Sequence, residues 1–153
     1  CLMAMLLVEH AAEEVDVLKV LKMLLIHDVV EIDAGDTFTY DAQANLDKEE
    51  REQRAAERLF NLLPEDQAVA YRALWDEFEE RHGAEARYAA ALDRLQPLLL
   101  HYHTQGAAWQ KHGVVKAQVI ERNKHIADGA PALWEFARQL IDDAVAQGIL
   151  AAR

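Results

Sequence analysis

Leu18–Asp36, LKVLKMLLIHDVVEIDAGD, decides how the rest of this chain is read. From Leu18 to Ile26 only Lys19 and Lys22 interrupt the hydrophobes, so the stretch predicts a mostly buried helix rather than a one-sided amphipathic one. From His27 onward the composition turns acidic, with Asp28, Glu31, Asp33 and Asp36, and no Lys or Arg lies between Asp28 and Asp36. Carboxylates at the end of a buried helix are costly unless they are hydrogen-bonded, paired with cations or bound to a metal. A positive partner is therefore expected at this helix end.

Working outward, Leu2–Ala12 has the composition of a core helix, Glu13–Asp16 is a polar junction, and the second helix is expected to run to about Asp33, stopped by Gly35. Asp36–Asp41, DTFTYD, lacks a helical period and reads as a loop. Asn45–Leu63 returns to helix, with Asn45 or Asp47 as cap, Leu46, Ala55, Ala56, Leu59 and Phe60 inward, and DKEEREQR as a solvated outer face. Pro64 opens a helix to Gly83 whose Tyr71, Leu74, Trp75 and Phe78 form a core stripe. Ala84–His103 follows, with Tyr88, Leu92, Leu95, Leu98 and Leu99 inward and Asp93 among them. Pro97 removes the hydrogen bond that the Asp93 carbonyl would accept and bends the helix there. Gly106–Gly113 reads as a connection containing Trp109. Val114 to about Asp128 is helical, and Pro131–Gln147 is a final amphipathic helix using Leu133, Trp134, Phe136, Ala137, Leu140, Ile141 and Val145, ended by Gly148. With no strand alternation, repeat or linker, residues 1–153 are expected to form a single all-α bundle of about six or seven helices.

The 153 residues are enough to bury a substantial core, and 52% hydrophobic residues with only 6 Gly and 3 Pro exclude a disordered or collagenous chain. A net charge of -11, with basic residues interspersed among acidic ones, argues against a nucleic-acid polymer as partner. A small anionic substrate fits that balance if a metal supplies local positive charge. The single cysteine, Cys1, rules out an intrachain disulfide framework and fits the cytoplasm. No apolar run is long enough to span a membrane, and CLMAMLLVEHAA lacks the basic leader of a signal peptide. A start inside an apolar helical pattern predicts a native segment upstream of Cys1.

His27 and Glu31, four apart, share a helix face, and Asp28 and Glu31, three apart, are neighbours. His27 and Asp28 differ by about 100° around the axis, which lets both heads reach one cation above the helix. Further ligands must come from elsewhere, and Asp93 at its proline-opened turn is the best candidate. Imidazole with carboxylates suits a transition metal or a magnesium-like ion rather than a thiolate zinc site. Thr37 is a weaker candidate for a hydroxyl donated to phosphate, and Arg94 is expected to face solvent or a structural ion pair. His101 and His103 make a poor chelate, and His112 and His125 lack acidic neighbours at ligand spacing.

LLIHDVVEIDAGDTFTYD followed by the distant ALDRLQPLL resembles the HD superfamily of metal-dependent phosphohydrolases, and within it the small 5'-deoxynucleotidase-like branch. The resemblance runs through essentially the full length. It implies His27, Asp28 and Asp93 as ligands of a divalent metal such as manganese, cobalt or magnesium. Glu31 and Asp36 would then handle the attacking water or hold a second metal. The implied reaction is hydrolysis of a nucleoside or deoxynucleoside 5'-monophosphate to nucleoside and phosphate, with a homodimer as the implied assembly. Family members carry a further histidine ligand in the first helix, ahead of the segment corresponding to Cys1, and His10 is not its replacement. Without that ligand the fold would serve as a catalytically weak binding or regulatory domain with an incomplete metal site.

Overall fold

The computed structural model describes residues 1–41 and 43–153. The chain is all-α: among the described residues the only extended pairing is an isolated bridge between Val115 and Ala151. Helix α1 (Leu2–Leu6) leads through a 3₁₀ turn (Val8–His10) to α2 (Val17–Ile26). The Asp16 carboxylate caps α2 by accepting from the N–H groups of Leu18 and Lys19. A second 3₁₀ turn (His27–Val30) joins α2 to α3 (Glu31–Ala34). Helices α4 (Lys48–Phe60), α5 (Glu65–Glu79) and α6 (Gly83–His103) follow. The chain closes with α7 (Ala107–His112), α8 (Lys116–Asn123), α9 (Ile126–Gly129) and α10 (Pro131–Ala146). Among the described residues, six segments reach eight residues or more, and the short ones are where the expected helices break.

Helix α6 is the axis of the larger core. Tyr88, Leu92, Leu95 and Leu98 meet Val20 and Met23 of α2, Trp109 of α7, Ile126 of α9 and Ile141 of α10. Its Ala86, Ala89, Ala90 and Ala91 are buried, and such small side chains let neighbours approach closely. The approach is tightest at Gly129, where a Cβ would lie 2.1 Å from the Arg87 carbonyl oxygen and 2.7 Å from the Tyr88 nitrogen. That contact seats α9, and α8 before it, against α6. A smaller core unites Val30 and Ala34 with Ala55, Ala56 and Phe60 of α4 and Trp75 of α5. Met23 belongs to the first core and Val30 to the second, so the residues at 27–29 lie at the seam between them.

Several expectations are corrected. The second helix does not run unbroken to Asp33: it tightens into the 3₁₀ turn at His27, and Gly35, at φ 78°, ends the short α3. Nor is α2 buried all round. It packs by one face, with Val20 and Met23 inside and Leu18 and Leu25 60% and 67% exposed. The first helix stops at Leu6, and Asn45 and Leu46 precede α4, leaving Leu46 75% exposed. Gly106–Gly113 is not a bare connection, because glycines with left-handed backbones at both ends bracket a helical turn that buries Trp109. The 114–128 segment breaks after Asn123, and Phe136 on α10 points outward. Pro97 lies within α6, which continues through it to His103.

Candidate metal centre

The turn at 27–30 is where the acidic stretch acquires its geometry. A 3₁₀ segment within a helical run advances more steeply per residue than an α-helix, which re-aims consecutive side chains. The His27 ring is largely buried and rests against Phe78, with ring centroids 4.7 Å apart. Its Nδ1 lies 3.1 Å from the Leu24 carbonyl oxygen, which can only accept, so Nδ1 carries a proton. Nε2 lies 3.0 Å from Asp28 Oδ1 and 3.2 Å from Asp93 Oδ1. In the neutral tautomer, three electron-pair donors would thus face one another, an arrangement that needs a proton or a cation among them.

In the protein alone the two carboxylates favour a proton on His27. Burial works against the imidazolium, but Asp93 and Asp28 outweigh it and raise His27 above its ordinary value. Burial likewise disfavours the Asp93 carboxylate, yet His27 and Arg94 hold it at about 2. Asp93 uses both oxygens: Oδ1 faces His27, while Oδ2 accepts from Arg94 Nε and Nη2 at 3.0 and 2.7 Å. Arg94 Nη1 also donates to Thr39 Oγ1 at 3.1 Å. The Nδ1–carbonyl bond is the second-sphere contact that fixes a metal-binding histidine with Nε2 free, so the donor chemistry fits a divalent cation. Among the described residues no group of three or more His, Cys, Asp or Glu side chains is placed so that it could hold a metal ion as the side chains stand. The His27 ring instead touches both Asp28 and Asp93 directly.

Glu31 and Asp36 line the same cleft as these three residues. Burial, Asp28 and Asp36 push the Glu31 carboxyl up to about 7, against the pull of Lys48. Thr37 is buried and lines the cleft, but its Oγ1 accepts from Arg51 Nη2 at 3.1 Å. Arg51 also donates to the carbonyls of Ala34 and Ala44 and to Asp47, clipping down the loop that carries Asp36–Thr39.

The cleft has two lobes that share Asp28, Glu31, Asp36, Asp93, Arg94 and Arg122 among others. The larger, of about 690 Å³, holds side chains that sequence reasoning left out: Lys48, Glu52, Arg81, Arg122, Lys124 and His125. Glu52 is buried and accepts from Lys48 at 2.8 Å, so DKEEREQR is not wholly a solvated face. A signal for both existed, because Lys48 and Glu52 fall at helical spacing on the inner stripe of Ala55, Ala56 and Leu59. Arg94 takes the structural ion pair, one of its two expected roles, with Asp93, and also forms one wall of the cleft. His125, expected to lack acidic neighbours at ligand spacing, is held neutral by burial, Arg81 and Arg94, which depress it to about 4.

The profile of the HD domain family matches residues 1–134. The bovine 5'-deoxynucleotidase HDDC2 is 35% identical over 78 residues, 51% of this chain and 38% of that protein. Its Dictyostelium discoideum counterpart is 27% identical over 118 residues, 77% of this chain and 62% of that protein. The chain therefore spans well under half the length of the bovine relative. The crystal structure of a predicted metal-dependent phosphohydrolase from Magnetospirillum magnetotacticum MS-1 superposes with a TM-score of 0.93. It is 55% identical, covering 98% of this chain and 75% of that one. With its profile matched over most of its length and this fold in common, the chain belongs to the HD domain family.

Proposed function

We propose that the chain is a divalent-metal-dependent phosphohydrolase acting on nucleoside 5'-monophosphates, deoxynucleotides included. The observation that carries this reading is the convergence of His27 Nε2 with Asp28 and Asp93 oxygens at 3.0 and 3.2 Å while Nδ1 is committed to Leu24. His27, Asp28 and Asp93 would hold the cation, with Glu31 and Asp36 at the edge of a second position. When bound, the cation supplies Lewis-acid polarisation of a phosphoryl oxygen. The names of the HDDC2 relatives and of the Magnetospirillum protein favour the same substrate class and metal dependence.

The chain's own residues account for the rest. Arg94 and Arg122 border both lobes and offset phosphate charge that the carboxylates would repel. Glu31, whose carboxyl burial, Asp28 and Asp36 push up to about 7 in the metal-free chain, would take the proton of the attacking water. Asp36 orients that water, and Thr37, fixed by Arg51, offers its hydroxyl proton to a phosphoryl oxygen. The reading includes a small nucleotide as partner, a homodimer as assembly and the cytoplasm as location. No helix among the described residues is long and apolar enough to cross a membrane.

The test is metal analysis joined to a phosphate-release screen over nucleotides, after loading with manganese, cobalt or magnesium. His27→Ala and Asp93→Ala are expected to lose bound metal and at least about 100-fold in kcat. Metal binding without turnover would favour a binding or regulatory domain. Neither metal nor turnover in any loading would sink the proposal.

A further inference from the structure

The smaller lobe extends away from the acidic cluster and changes character as it goes. It encloses about 280 Å³, and beyond the shared residues its walls are Phe38, Tyr40, Pro97, Leu98, His101 and Asn123. Two ring systems come from the loop after α3. Pro97, Leu98 and His101 come from α6, one and two turns beyond Asp93, so the same helix carries both the acidic end and the apolar floor.

The rings are held in place. Phe38 packs edge-on to Tyr40 at 5.4 Å between centroids and lies 4.5 Å from the His112 ring. His101 rests on the buried Trp109 at 5.1 Å, and its burial favours the neutral imidazole, a planar ring with one donor and one acceptor. Asn123 is buried with Nδ2 donating to the Val119 carbonyl at 2.7 Å. Apart from Arg94 and Arg122, which it shares with the larger lobe, these walls offer a phosphate no positive charge. A flat heteroaromatic ring gains from stacking on an aromatic face and from hydrogen bonds at its edge.

Resting on the phosphohydrolase reading above, we infer that this lobe is the nucleobase subsite, with Phe38 as its stacking platform and His101 as a positioning residue at the base edge. The site therefore selects nucleotides over sugar phosphates that carry the same reacting group. Selection by a base subsite acts on both ground and transition states, so it appears mainly in KM.

The test compares a deoxynucleoside 5'-monophosphate with 2-deoxyribose 5-phosphate, which lacks only the base. Phe38→Leu keeps apolar volume while removing the π face. It is expected to lower the ratio of kcat/KM for nucleotide over sugar phosphate about tenfold, through KM, with Phe38→Tyr restoring it. An unchanged ratio, or a loss equal on both substrates, would overturn the assignment. Phe38→Trp provides a readout independent of turnover: a nucleotide stacked on it should quench fluorescence beyond the change seen in the wild-type protein. If the wild-type chain hydrolyses neither substrate, the phosphohydrolase reading fails. The quench then decides the subsite alone, its presence supporting the base pocket and its absence overturning it.

Discussion

Replacing Glu31 by glutamine should make the metal-free protein more stable at neutral and alkaline pH while removing the proposed phosphohydrolase activity. The Glu31 carboxyl lies at about 7 in the folded chain, against an ordinary value of 4.5, because it is partly buried beside Asp28 and Asp36. Between those values the folded chain holds a proton that the unfolded chain releases, so stability falls as pH rises, and the loss is complete above about pH 7. A displacement of this size corresponds to at most about 3 kcal/mol. Water reaching the partly exposed carboxylate reduces this to about 1–2 kcal/mol. Glutamine does not ionise and escapes the penalty.

Urea unfolding of both proteins in chelator at pH 4.5 and pH 8 measures the effect. The variant's advantage should be near zero at the lower pH and about 1–2 kcal/mol at the higher. Adding manganese at pH 8 should narrow or reverse it, because a cation stabilises the ionised carboxylate and a ligand that binds only the folded state adds to stability. A variant equally or less stable than wild type at pH 8 in chelator would refute the reasoning.

Other perturbations probe the scaffold around the centre. Arg51→Ala removes ties to the Ala34 and Ala44 carbonyls and to Thr37; it should cost about 2 kcal/mol and speed amide exchange at residues 37–40, read by mass spectrometry. Gly129→Ala forces a methyl against the Arg87 backbone and should cost about 3 kcal/mol, seen as a lowered Tm. His125 is depressed to about 4 from 6.5, so the stability it contributes is complete above about pH 6.5 and is lost as pH falls toward 4. In His125→Gln the drop in stability from pH 7 to pH 4 should be smaller than in wild type by about 2 kcal/mol, measured by urea midpoints.

The helical class and the main helices were legible because apolar residues recur at helical spacing and Gly and Pro punctuate them. Asp93 stood out by being an acid on the inner stripe of α6, and His27 with Asp28 by ending an apolar run. What the one-dimensional pattern could not show was the 3₁₀ turn at 27–30. Nothing in HDVV breaks a helix; the tightening comes with the passage from one core to another, where Met23 and Val30 belong to different clusters. The burial of α2 was overread for a related reason: apolar composition states what a helix can bury, not how many neighbours the fold brings to it.

The expectation of a positive partner for the acidic stretch shows where local reading stops being sufficient. No Lys or Arg lies between Asp28 and Asp36, and from that absence a metal follows as the natural counter-charge. The folded chain adds cations from far along the sequence: Lys48 acts on Glu31, Arg94 holds Asp93, and Arg81, Arg122 and Lys124 line the same cleft. Yet these cations do not serve the carboxylates equally. Asp93 is held at about 2 by His27 and Arg94, whereas Glu31 is driven up to about 7 with only Lys48 opposing. In the metal-free chain His27 and Arg94 hold one acid in its charged form, while burial beside Asp28 and Asp36 leaves another near neutrality. Under the proposed reading, that division would suit the two tasks of hydrolysis, with Asp93 as a fixed ligand on one side of the cleft and Glu31 as a proton acceptor on the other.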